Sequence, residues 1–323
     1  MFSFNPPSVS VGVRQITLDC ASDFAFVSHA HSDHAFNSRR GFLLASPETA
    51  DLLKARGYTV TSRVQHDHYG VKLLNAGHVL GARQLVAETD EGNFAYTGDF
   101  RSSDSFCVKG AEIPTGCDSL FMEATFGSPE FVFPSRAEVA EEITKWVSAE
   151  SEKGIVVLGG YSLGKAQELI KILNDFAGVA PVVEETIARV NEVYVKHGVK
   201  LDFIRAESDE GLKALEKNFV AVVPMNKVNN NFAFQLSRAY SRRVATAVAT
   251  GWALTERFAR AKAFCLSDHS DFPELMEFVE RSGAKKVFTA EGSARRLAKE
   301  LRKKGVNAHA VEEQQKLLIA WDD

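Results

Sequence analysis

Long apolar runs are missing from this 323-residue chain, and no stretch approaches the roughly 18 residues needed to span a bilayer. The N-terminus, "MFSFNPPSVSVGVRQ", has no basic segment followed by a long apolar run, so it does not read as a signal peptide. Cysteine is scarce. Cys20, Cys107, Cys117 and Cys265 are scattered and form no CxxC pair, which speaks against a disulfide framework or a thiolate zinc site. Reduced thiols in a cytosolic protein are the expectation. Internal repeats and low-complexity segments are absent too. Hydrophobic residues at 45% and charged residues at 25% are globular values, which excludes disorder over most of the length. The length suits about two domains. A net charge of −4 argues against indiscriminate nucleic-acid binding. The charge is uneven, however: Leu236 to Lys304 carries 15 Lys and Arg against 8 Asp and Glu. A polyanion would be drawn there if those charges share one face; a pair of solvated helices is the plain alternative.

What is present is an alternation of strand and helix signals. "DFAFVSH" and "GVKLLNAGH" are short apolar runs bounded by turn residues, and "NFAYTGD" alternates before a glycine. "FLLASPETADLLKARGY" reads as a strand, a Ser-Pro helix start and an amphipathic helix stopped by Gly57. Further on, "SRAEVAEEITKWVSAESEKG" is a helix opened by a Ser135–Glu138 capping box. "IVVLGGYSLGKAQELIKILNDF" is a buried strand, a Gly-rich turn and a helix, and "FVAVVPM" and "RRVATAVATGW" are further strands. That alternation predicts a parallel-sheet α/β domain over 126–263. After it, "AFCLSDHSDFPELMEFVERSG", "KKVFTAEG" and "SARRLAKELRKKG" give strand, helix, strand and helix.

The densest chemistry sits in "FVSHAHSDHAF", where His29, His31, Asp33 and His34 crowd one bend directly after an apolar strand. Neutral imidazole and carboxylate are ligands of zinc and manganese. Residues two apart in an extended segment face the same way, so His29 and His31 can converge on one ion. Asp33 and His34 come a step later and suit a second ion. A run of exposed polar residues at a helix start is the alternative. His78 in "NAGHVLGA" and Asp99 in "AYTGDF" end strands and supply further ligands, with Asp99 able to bridge two cations. Asp19 in "ITLDC" can orient one histidine from behind. His66 and His68 lack a companion Asp-His and are read as surface or supporting residues.

Asp19, the HAHSDH run, His78 and Asp99 together resemble the four signature motifs of the metallo-β-lactamase superfamily. "FMEATFG" with Glu123 and "LSDHSDF" with His269 are similar to motifs A and B of its β-CASP branch. "GGYSLGKAQELI" resembles the strand–helix joint of the inserted β-CASP domain. The likeness covers nearly the whole chain. It is nearest to small ligase-associated exonucleases and mRNA 3′-end-processing-like exonucleases. The resemblance implies an αββα sandwich over 1–125 and 264–323, interrupted by a β-CASP domain over 126–263, with the active site in the cleft between them. It implies two divalent cations, zinc first and manganese as the alternative. His29, His31 and His78 would hold one cation, Asp33 and His34 the other, and Asp99 would bridge. Glu123 would orient His269 near the leaving group.

One motif departs from the pattern. RNA-cutting relatives carry a motif C histidine about twenty residues after motif B, where this chain reads "KKVFTAEGSARR". No histidine lies between His269 and His309. Artemis-type relatives, which act largely on DNA, also lack it. Aligned on Gly292, Glu291 takes the motif C position, with Ala290 the neighbouring possibility, and Glu291 can supply an oxygen ligand instead; a surface glutamate in a turn is the alternative.

The implied activity is a metal-dependent nuclease with Asp19, Asp33, Glu123 and His269 as catalytic residues. Exonucleolytic processing of DNA ends is the leading expectation, RNA processing the next. A thioester hydrolase of the same superfamily and a non-catalytic binding subunit complete the set. A helicase or ligase is the expected partner. Substrate contacts are expected from Ser162, Gly164 and Lys165 at a helix N-terminus and from Arg242 and Arg243. Glycines needed for tight packing explain the first group equally well. Trp252 is read as a core residue in preference to a base-stacking one.

Overall fold

The computed structural model describes residues 2–4, 6–259 and 261–311. The last twelve positions of the expected first domain therefore lie outside the described residues. The chain divides into two compact units. Among the described residues, one comprises those up to Val132 and from Asp268 to Val311; the other lies within Phe133–Ser267.

Among the described residues, the first unit holds two six-stranded sheets. In spatial order, one comprises Phe2–Phe4, Pro7–Val11, Arg14–Leu18, Phe24–Phe26, Phe42–Leu44 and Val64–Gln65. Its first two pairings are antiparallel and the rest parallel. The other runs Ala308–Ala310, Lys286–Ala290, Ser119–Glu123, Gly92–Tyr96, Arg83–Thr89 and Val71–Asn75. Here the first three pairings are parallel and the last two antiparallel.

The sheets face each other across one apolar cluster. Val9, Ile16, Phe26 and Leu44 come from one side; Leu85, Phe94, Phe121 and Phe288 come from the other. Aromatic contacts cross the gap, with the Phe2 and Phe94 rings 5.0 Å apart and Phe4 and Phe121 5.1 Å apart. Helices cover the outer faces. Ala294–Lys303 buries Ala294, Leu297, Ala298 and Leu301, the stripe that a helical period of 3.6 dictates. Phe272–Ser282 starts at an Asp271–Glu274 capping box and stops where Gly283 turns left-handed at φ 65°.

This is the expected αββα layering. In the strand read from "NFAYTGD", Phe94, Ala95 and Tyr96 are all buried.

The second unit is built on a six-stranded sheet in which every pairing is parallel. Its order is Ile204–Arg205, Val182–Val183, Val220–Pro224, Ile155–Gly160, Val244–Ala249 and Ala263–Phe264. Parallel neighbours need long crossovers, and helices supply them: Lys165–Ile172, Glu185–Lys196, Asp209–Leu215 and Asn230–Tyr240, while Arg136–Ser151 leads into the sheet. Ile155–Gly160 sits inside the sheet and is buried throughout, as its unbroken apolar run requires. Ser135 and Glu138 form the expected capping box ahead of Arg136–Ser151.

Candidate metal centre

Strand ends of the first unit build the site. Arg14–Leu18 and Phe24–Phe26 are parallel neighbours, so Asp19 and the His29 bend leave the sheet at the same end. Asp99 follows Gly92–Tyr96, Glu123 closes Ser119–Glu123, and Glu291 follows Lys286–Ala290. The parallel register that pairs Glu123 with Ala290 keeps these acids at one edge. His78 lies in the turn after Val71–Asn75.

Three ring nitrogens converge. His31 Nδ1 is 3.0 Å from His29 Nε2 and 3.0 Å from His78 Nε2. Asp99 Oδ2 closes this group at 3.5 Å from His29 Nε2 and 3.7 Å from His78 Nε2. The other Asp99 oxygen turns elsewhere: Oδ1 is 3.5 Å from His34 Nε2, which lies 3.7 Å from Asp33 Oδ2. Glu291 offers an oxygen within 4.8 Å of ligand atoms of both His34 and Asp99.

Asp19 stands behind these groups. Its Oδ1 accepts from the Ser28 amide at 2.7 Å, and its Oδ2 from His34 Nδ1 and the Tyr96 hydroxyl, both at 2.8 Å. With Nδ1 donating there, Nε2 is the His34 nitrogen left to face a cation. His78 is fixed likewise, its Nδ1 donating to the Asp268 carbonyl at 2.8 Å.

The set fits divalent cations. His34 Nε2 and Asp99 Oδ1 are buried and have no hydrogen-bond partner, a condition that costs roughly 1–3 kcal/mol per group unless something compensates it. Burial, reinforced by the neighbouring histidines, holds His29 well below the ordinary imidazole pKa, and burial does the same to His78. Both are thus neutral, the form that binds metal. Burial also opposes a charged His34, but Asp99 and Asp19 outweigh it and hold that pKa well above its ordinary value. A cation entering there displaces that proton. His29, His31, His78 and Asp99 could hold one ion; Asp33, His34, Asp99 and Glu291 could hold a second.

Beside this set, His269 Nδ1 is 2.8 Å from Glu123 Oε1. Glu123 is buried and also accepts from the amides of Phe100 at 3.2 Å and Thr125 at 3.0 Å. Burial works against a charged His269, but the Glu123 carboxylate raises its pKa from 6.5 to about 9. Its ring centroid is 4.6 Å from that of His78. Arg101, buried, donates to the His269 carbonyl at 3.0 Å.

Ser162, Gly164, Lys165, Arg242 and Arg243 belong to the second unit and are engaged there. The Gly164 amide donates to Gln167 Oε1 at 2.7 Å, and Lys165 is buried with its Nζ 4.8 Å from the centre of the Tyr161 ring. A Cβ on Gly159 would meet Val228 at 2.6 Å, so the glycine serves packing. Arg242 donates to the carbonyls of Lys217 at 2.7 Å and of Glu216, and Arg243 pairs with Glu150. Trp252 is half-buried. His66 Nδ1 donates to the Ala45 carbonyl, 2.7 Å away, and His68 packs on Phe24; neither enters the metal-ligating groups among the described residues. Tyr96 and Arg101 were not foreseen, and a "YTGDFR" string carries no signal that Tyr96 reaches Asp19 or that Arg101 reaches the His269 carbonyl.

No family model matches the chain. A "Probable DNA ligase" of Opitutus terrae is 33% identical over 91% of this chain and 29% of its own length. An "RNase J-like protein" of Methanocaldococcus jannaschii is 28% identical over 49% of this chain and 45% of its own. "5′ exonuclease Apollo" of Gallus gallus is 26% identical over 79% of this chain and 55% of its own. The chain thus spans about a third to a half of these relatives. A solved structure of a protein of unknown function from Enterococcus faecalis superposes with a TM-score of 0.55 at 17% identity, covering 82% of this chain and 74% of that one. It shares the fold.

Proposed function

The chain belongs to the β-CASP branch of the metallo-β-lactamase superfamily, and from that membership and its site we propose a metal-dependent nuclease that hydrolyses phosphodiester bonds at DNA ends. One observation carries this reading: a double set of histidine and carboxylate ligands lies against a protonatable His269 held by Glu123. Bound divalent cations would supply Lewis-acid polarisation of the phosphoryl group and an activated water. The chain does the rest. Asp19 and the Asp268 carbonyl aim imidazole lone pairs. Glu123 keeps a proton on His269 at neutral pH. As water attacks phosphorus and the bond to the departing oxygen breaks, His269 donates its proton to that oxygen, a service worth roughly 10²- to 10⁴-fold. The product beyond the break keeps a 5′-phosphate.

Zinc suits the three-nitrogen set, while the carboxylate-rich set also accepts manganese. DNA is favoured because relatives named for a ligase and a 5′ exonuclease align along 91% and 79% of the chain, whereas the RNase J-like one aligns along 49%. That last relative supports RNA processing as the second reading. A thioester hydrolase would have no use for the Glu123–His269 pair. The ligase in the first relative's name supports a ligase partner, and four free cysteines support a reducing cytosol.

The test is digestion of matched end-labelled DNA and RNA strands, each with a 5′-phosphate or a 5′-hydroxyl, supplemented with zinc or manganese. DNA laddering that disappears with Asp33→Ala is expected. Preference for RNA would select the second reading, and no cleavage of either strand with both cations bound would overturn the nuclease.

A further inference from the structure

Ser28 has no place in the ligand set, yet it touches both sides of it. Its hydroxyl oxygen is 2.7 Å from Asp19 Oδ2 and 2.9 Å from His29 Nδ1. The carboxylate can only accept, so the hydroxyl proton goes to Asp19. That proton is then spent, and the second contact must be His29 Nδ1–H donating to the serine oxygen. A neutral imidazole has one such proton, which leaves His29 Nε2 bare. Nε2 is the atom 3.0 Å from His31 Nδ1 and 3.5 Å from Asp99 Oδ2.

We propose that Ser28 is a positioning residue that extends Asp19 to His29, so that one acid sets the lone-pair direction of a histidine in each of the two cation sets. Asp19 reaches His34 directly and His29 through the serine hydroxyl. The backbone supports this placement: the Ser28 amide donates to Asp19 Oδ1 at 2.7 Å, and the Ser28 carbonyl accepts from Arg83 at 2.9 Å. A separate observation points the same way. Gly98, just before the bridging Asp99, has φ +55°, and a Cβ there would lie 2.6 Å from Ser28 Cβ and 2.7 Å from Ser28 Oγ. The glycine leaves the space in which the serine side chain sits.

The inference rests on the metal-centre reading, and its test separates the two. Nitrogen-15 NMR of the metal-free protein reports which ring nitrogen of each histidine bears the proton; chelator competition reports zinc affinity. Wild type should show His29 protonated at Nδ1. Ser28→Ala should move that proton toward Nε2, with Asp99 as the new acceptor, and weaken the zinc held by three histidines by about 10- to 100-fold. His34 should stay protonated at Nδ1, and Ser28→Thr, which keeps the hydroxyl, should restore His29. A wild-type His29 carrying its proton on Nε2 overturns the relay whether or not the alanine variant folds. So does a Ser28→Ala protein with unchanged tautomer and affinity. A wild-type protein that binds no zinc while showing the tautomers above would instead fail the metal-centre reading and leave the relay standing.

Discussion

Glu123→Gln tests the electrostatics of the site most directly. Glutamine keeps the shape of the side chain, and its oxygen can still accept from the amide of Phe100 or Thr125. What it removes is the charge 2.8 Å from His269. In the metal-free protein His269 rises from 6.5 to about 9, a stabilisation of the protonated fold of roughly 3 kcal/mol at about 1.4 kcal/mol per pH unit. Burial works against the charged ring, so the rise measures carboxylates overcoming desolvation, with Glu123 the strongest and Asp99 and Asp268 behind it. The folded pKa lies above the unfolded one. The contribution is therefore complete below about pH 6.5 and is lost as pH climbs through about 9. Urea unfolding with chelator present, run from pH 6 to pH 10, should find Glu123→Gln less stable than wild type by about 2–3 kcal/mol at the acid end. The two proteins should converge at the alkaline end, where wild-type His269 has lost its proton. Parallel curves would mean that Glu123 acts through shape and hydrogen bonding alone. In the loaded enzyme the same substitution should lower hydrolysis by about 10²-fold or more if the pair delivers the proton.

Four further outcomes are expected. Glu291→Ala should lower occupancy of the His34–Asp99 set while the three-histidine set stays filled; unchanged stoichiometry at limiting metal would remove Glu291 from the ligands. Asp19→Asn, tolerated at φ 52° because asparagine enters the left-handed region readily, should weaken both cations by about 10- to 100-fold in chelator competition, against a single weakened cation for Ser28→Ala. Gly77→Ala would place a Cβ 2.3 Å from the Arg101 carbonyl oxygen and 2.6 Å from the Ala111 amide at φ +71°; a loss of at least about 2 kcal/mol is expected, and an unchanged melting temperature would refute it. Arg242→Ala should cost about 1–2 kcal/mol of stability through its lost carbonyl contacts, with DNA affinity unaltered in a filter-binding assay; a large loss of affinity would return Arg242 to the substrate contacts.

These outcomes divide along the same line as what could be read from the chain. Helix ends were legible because their grammar is local: Ser135 with Glu138 and Asp271 with Glu274 each settle a cap within four residues. The HAHSDH bend was legible for the same reason, since four chemically committed side chains share one loop. Sheet order was not, because Ile155–Gly160 pairs with Val220–Pro224 and Val244–Ala249, partners that only tertiary structure brings together. The Gly-rich turn had two physical solutions, anion binding or close packing. Gln167 and Val228 favour the second, and neither choice is written in the turn itself. Arginine counts are silent in a similar way, for they do not say that Arg242 donates to the carbonyls of Glu216 and Lys217 or that Arg243 pairs with Glu150.

Supporting residues are the hardest to read because they carry no chemistry of their own. Serine at position 28 is unremarkable until Asp19, His29 and Gly98 surround it. The ends of three strands, from two sheets, must meet before the hydroxyl has a donor on one side, an acceptor on the other and a missing Cβ to make room. Ligands can be found one at a time, since each is competent alone. A relay exists only as a relation, and a substitution that spares every ligand but breaks that relation is therefore the sharper probe of how this centre is held.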